Sequence, residues 1–147
     1  MKNKQDIIKN ASFFSLRRYI EGSGWYRIAE LDKTASNGTI DIRIMTDYFN
    51  NNNSVHHVEL LCPHSKSKFK LISGYANVLT ISKIRHVYDS IEKKTYIDIY
   101  YNVDTGNNVY AFLCAYGNVF SPIILEPTEE AVDGCTVVSS AELTANY

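Results

Sequence analysis

The 147-residue chain reads as an all-β domain, an antiparallel β-sandwich of jelly-roll-like type with a short N-terminal arm or helix. Three observations predict this. Tyrosine is abundant, with 11 copies, and together with Thr, Val and Ile it suits a pleated, half-buried surface better than a helix. Apolar and polar residues alternate strictly, most clearly where Ile40, Ile42 and Ile44 interleave with Asp41 and Arg43, which marks a strand with one buried face. Turn residues separate roughly nine or ten such short stretches, the rhythm of a sandwich or barrel. No longer repeat is visible, which argues against a solenoid or propeller.

Residues 1–23 differ from the rest. Ile7, Ile8, Ala11 and Phe14 have a loose helical spacing, Asp6 suits a helix start, and Gly22-Ser23-Gly24 ends the segment. The spacing predicts a short helix or an arm that orders on a partner, and the alternative is a segment that packs onto its own sandwich as an extra strand or helix. Phe13, Phe14, Leu16 and Tyr19 are its candidate anchoring residues. From residue 24 onward the period becomes two, so 24–147 is the predicted sandwich domain. Strands are expected over 25–31 and 39–46, the latter entered through the hairpin signal Asn37-Gly38. Asn50 to Asn53 make a polar loop. The strand over 55–62 stops at Pro63. Lys66, Lys68 and Lys70 alternate into 69–72, a common way to blunt a sheet edge. Short runs follow at 75–81 and 84–88. Residues 95–101 place Ile97, Ile99 and Tyr101 opposite Tyr96, Asp98 and Tyr100. Residues 109–116 turn at Gly117-Asn118 into 119–125, where Pro122 indicates an edge strand or bulge. The final strand is expected at 135–139. Ile40, Ile42, Ile44, Ile97, Ile99 and Leu113 are the predicted core.

The length is that of one domain, and 45% hydrophobic with 21% charged residues is globular composition. A net charge of −1 gives no field to recruit nucleic acid. Charge is uneven: the start of the chain is basic, and no Lys or Arg follows residue 118. The two ends can pair with each other or between copies, or simply be solvated. Cys62, Cys114 and Cys135 are too few and too far apart for a disulfide framework, and buried thiols suit folding in a reducing cytoplasm. The first residues lead into no apolar region, so no signal peptide is expected. No apolar run is long enough for a membrane helix, and no membrane insertion is expected.

Catalytic signatures are absent. There is no P-loop, nucleophile elbow, HExxH or GxGxxG. His56, His57, Cys62 and His64 cluster in the sequence, but adjacent histidines on a strand point to opposite faces and the usual ligand spacing is missing, so no metal is expected. Cys114 lies in an apolar strand and is expected to be buried and inert. Asp41, Glu59 and Asp98 are expected on outer strand faces as solvated charges, with nothing to set the separation a glycosidase needs. No cofactor and no enzyme activity are expected. Tyr96 and Tyr100 share a face with Asp98, and Tyr110 and Tyr116 share a face with Phe112. Rings with polar tips suit interfaces, and these four fit a glycan-stacking platform, a subunit contact or the core.

Three segments carry a resemblance: Gly24-Trp25-Tyr26-Arg27-Ile28-Ala29-Glu30, Ile81-Ser82-Lys83-Ile84-Arg85-His86-Val87-Tyr88 and Tyr96-Ile97-Asp98-Ile99-Tyr100-Tyr101-Asn102. In this order they resemble the C-terminal β domains of bacteriophage fibre and receptor-binding proteins, closest to those of phages of gut Bacteroides-type bacteria. The matched stretch spans about residues 24–143. The resemblance implies a sandwich, commonly a homotrimer, made in the bacterial cytoplasm and displayed on a virion. It implies attachment to a host surface, with host glycan as a candidate ligand and other virion proteins as partners through residues 1–21. It supplies no site residues. A typical fibre has a long shaft before such a domain; here only about 23 residues precede it, which fits a small decoration or a tip carried by another chain. A bacterial carbohydrate-binding module using the surface tyrosines is the alternative.

Overall fold

The computed structural model describes residues 11–31, 39–47, 53–61, 66–116 and 120–144. These residues form ten strands and no helix: β1 Ala11–Ile20, β2 Gly24–Leu31, β3 Thr39–Thr46, β4 Ser54–Leu61, β5 Lys68–Ala76, β6 Ile81–Asp89, β7 Lys94–Tyr101, β8 Asn107–Tyr116, β9 Phe120–Thr128 and β10 Cys135–Glu142. They build two five-stranded sheets, ordered β1-β8-β3-β4-β5 (sheet A) and β10-β6-β7-β2-β9 (sheet B). Every paired neighbour is antiparallel. Strand one pairs with strand eight in sheet A and strand two with strand seven in sheet B, while β3, β4 and β5 pair in succession and β6 pairs with β7.

The sheets pack face to face through their alternating apolar sides. Ile40, Ile42 and Ile44 from β3, Ile97 and Ile99 from β7, and Leu113 from β8 are all buried, as their alternation predicts. Ile28, Leu31, Ile81, Ile84 and Tyr101 fill the space between them. Burial pushes the Tyr101 hydroxyl up to about 12, and that hydroxyl donates to the Thr105 carbonyl. Pro122 sits on β9, an edge strand, and the Lys68/Lys70 alternation sits on β5, another edge.

The helical spacing at the N-terminus is overturned over residues 11–20. They form β1, paired with β8 in unbroken register from Ala11↔Tyr116 to Ile20↔Asn107. Leu16 and Ile20 enter the core and Phe14 packs against it. The boundary at residue 23 therefore does not separate an arm from the sandwich. The physical reason is a period of two: Phe14, Leu16 and Ile20 share one face while Phe13 and Tyr19 take the other. Residues 1–10 lie outside the described residues. Residues 75–81 are not one strand either, because β5 ends at Ala76 and β6 begins at Ile81.

Polar contacts close both open sides of the sandwich. Where β1 and β9 meet, the Arg18 guanidinium donates to the carbonyls of Ile124 (3.3 Å) and Leu125 (3.1 Å). On the opposite side Ser67 Oγ meets Ser139 Oγ at 2.5 Å and His86 Nδ1 at 2.8 Å, tying the entry of β5 to β10 and β6.

Candidate functional site

The outer face of sheet B carries the densest chemistry. The cross-strand register puts Arg27 and Arg85 on either side of Asp98, in β2, β6 and β7. Asp98 is fully buried, and its carboxylate accepts from Arg27 Nε at 2.8 Å and Arg85 Nε at 2.9 Å. Arg85 also donates to the carbonyls of Glu130 (2.8 Å) and Glu129 (2.6 Å). Residues 129–134 thus cross over the charged pair and exclude water from it. Each guanidinium stacks on a ring: Arg27 lies 3.8 Å from the Tyr96 centroid and Arg85 4.0 Å from that of Trp25. Trp25 Nε1 donates to the Glu130 carboxylate, and the Tyr100 ring meets Trp25 edge-on at 5.2 Å. Burial opposes the charge of Arg27, but the hydrogen bond and charge of Asp98 outweigh it and raise its pKa.

Two shallow grooves flank this crossing. One of about 240 Å³ is lined by Trp25, Lys83, Arg85, Glu130, Ser140 and Glu142 among others. The other, about 150 Å³, lies between Arg27, Arg85, Val132 and Cys135. The cluster's hydrogen bonds are made within the protein, so it acts as a rigid scaffold for the sheet.

The outer face of sheet A is different. Phe13 is 73% exposed and Phe112 is 42% exposed, and they border a groove of about 330 Å³ with Phe14, Asp41, Arg43 and Cys114. Val55 and Tyr75 extend the exposed apolar surface towards β5. Exposed aromatic side chains grouped on a sheet face make this groove a candidate contact surface. Beside the groove the His57 ring bonds to the Asp41 carboxylate.

The candidate tyrosines divide between these faces. Tyr96 is buried beneath Arg27, and Tyr100 is half-buried against Trp25 and Lys83. Neither presents an open ring. Tyr110 is half-buried on sheet A with its hydroxyl on Asp47, and the Tyr116 side chain lies outside the described residues. The anchoring quartet also splits: Phe13 and Tyr19 face outward, while Phe14 and Leu16 are spent on the protein's own core.

Two sequence expectations need correction. Cys114 is not buried; Leu113 takes the inward position, which turns Cys114 out into the groove. Asp98 is not a solvated charge. Asp41 and Glu59 are cross-strand neighbours on sheet A, whereas Asp98 belongs to sheet B, so the three carboxylates never converge. His56 and His57 do face opposite ways, one buried and one half-exposed, while Cys62 and His64 lie outside the described residues. Among the described residues no group of three metal-ligating side chains gathers. The Arg27–Asp98–Arg85 cluster was missed: each residue sits at an alternating position, but the strand order that brings them together is not written in local pattern. No protein-family model, curated protein or solved structure matches the chain.

Proposed function

We propose that the chain is a non-catalytic structural and adhesion module of a virion, a fibre-tip or decoration subunit that works as a homo-oligomer on a host cell surface. The observation that carries the contact role is the open aromatic groove between Phe13 and Phe112 on sheet A. The virion assignment rests on the three-segment resemblance. Those segments fall on β2, β6 and β7, which are neighbours in the order β6-β7-β2, and they supply Trp25, Arg27, Arg85, Tyr96, Asp98 and Tyr100. Residues scattered through the sequence thus meet in one rigid cluster. A module of this kind gains avidity from multiple copies, each contributing weak contacts. The glycan-stacking alternative needs open rings, and Arg27 covers Tyr96.

The test is immunogold labelling of purified phage particles with an antibody against the chain, alongside binding of labelled protein to whole bacteria. Regular labelling of particles and saturable cell binding are expected, with Phe112→Ser weakening the binding. Particles without label would sink the virion reading, and selective retention on an oligosaccharide array would favour the carbohydrate module.

A further inference from the structure

The two sheets meet edge to edge along two sides, β1 with β9 and β5 with β10. Arg18 holds the first side on β9 carbonyls. The second is tied by a chain of three side chains. His86 is fully buried on β6, and its Nδ1 lies 2.8 Å from Ser67 Oγ at the entry to β5. Ser67 Oγ in turn meets Ser139 Oγ on β10, and Ser139 is the cross-strand partner of His86. The imidazole Nε2 has no hydrogen-bond partner among the described residues. In a neutral ring with its proton on Nδ1, that nitrogen is only an unused acceptor. In an imidazolium both nitrogens carry protons. Nδ1–H can donate to Ser67, and Ser67 onward to Ser139, but Nε2–H is then a buried charged donor without an acceptor.

No nearby acid relieves that charge. On β7 the residue opposite His86 is Ile97, and the adjacent Asp98 is already held between Arg27 and Arg85. Lys66 and Lys68 flank Ser67 and add positive charge. The buried side chains of β4 and β5 are Ser54, His56, Val58, Leu60 and Phe69, which include a second imidazole and no carboxylate. β10 is weakest at the same level. Its ends are fastened, by Ser90 donating to the Gly134 carbonyl and by Leu143 N donating to the Ser82 carbonyl. Its centre carries a bulge between Val137 and Ser139, which leaves Val138 without a partner on β6.

The geometry points to an acid-opened latch: protonation of His86 releases the Ser67–Ser139 tie, so that the centre of β10 parts from β5 and β6 while the rest of the sandwich stays folded. Local opening at an edge strand costs less than global unfolding, and the bulge sets where it starts. The buried ring, with a pKa of about 4 against 6.5 in water, gives the direction: the closed form prevails above pH 6.5 and the open form gains as pH falls towards 4. This inference stands independently of the virion reading.

The experiment is hydrogen exchange of the full chain at pH 7 and pH 5, corrected for the intrinsic rate at each pH. Opening of residues 135–142 is expected to rise about 20-fold between the two, and to exceed that of residues 94–101 of β7 at both. His86→Gln should abolish the rise, whereas His56→Gln should leave it. A second variant serves if His86→Gln does not fold. Ser67→Cys with Ser139→Cys, with Cys62, Cys114 and Cys135 changed to Ser, closes the tie as a disulfide; the oxidised protein should lose the rise and the reduced protein regain it. Equal opening of the two segments at pH 5 overturns the inference, because the loss is then global. A rise that survives in folded His86→Gln or in the oxidised disulfide variant overturns it as well.

Discussion

At position 98 a carboxylate with no solvent contact sits between two guanidinium groups, under a length of backbone that also caps one of them. Removing one partner of a buried ion pair leaves the others uncompensated, which costs far more than the pair itself contributes. Asp98→Asn is expected to destabilise the fold by about 3–5 kcal/mol in urea unfolding; a loss below about 1 kcal/mol, the range of surface pairs, would show the cluster to be solvent-screened. The two buried histidines give a second residue-scale prediction. Burial lowers both His56 and His86 to about 4 from 6.5. Between those values the unfolded chain binds more protons than the folded one, so stability is full above pH 6.5 and falls as pH drops towards 4. Each group accounts for on the order of 3 kcal/mol across that window. Denaturation midpoints measured from pH 7 to pH 4 check this, and His86→Gln should flatten the slope. Neither histidine was legible as a core residue, because the partners that meet it come from distant strands, as Ser67 meets His86 Nδ1.

Strand positions were legible wherever one face is apolar and the other polar. β3 and β7 were read correctly because Ile alternates with Asp, Arg or Tyr in both. β1 was not, because its sequence mixes two signals: Phe13-Phe14 and Arg17-Arg18 are doublets that straddle both faces and blur the period. Pairing with β8 selects the strand, since each β1 residue finds a partner there. β1 is therefore expected to belong to the folding unit. Ile20→Ala should cost about 2–5 kcal/mol, the usual range for a buried aliphatic truncated to a cavity. Deleting residues 2–20 should lower the melting temperature markedly in scanning calorimetry. An unchanged melt of the deleted chain would show that β1 is an accessory strand.

Across the whole molecule, the sandwich class was legible and the strand order was not. Local alternation says which face of a strand is buried, but β1 meets β8 and β2 meets β9 across most of the chain. Such separations come from the global packing of two sheets, and no short window of sequence encodes them. They also set the kinetics, because distant pairings must close large loops before they gain contacts. Folding followed by stopped-flow circular dichroism is expected on a timescale of roughly milliseconds to seconds; a phase complete in microseconds would contradict this topology. One residue gives the protein an optical asymmetry. Trp25 is the only indole in the chain, and it lies at the junction of β2, β6 and residues 129–134. Its emission therefore reports sheet B alone, blue-shifted while the crossing segment shields it and red-shifted when that segment lifts. Events at the Asp98 cluster therefore change this emission, whereas events confined to the Phe13 groove on sheet A leave it unchanged.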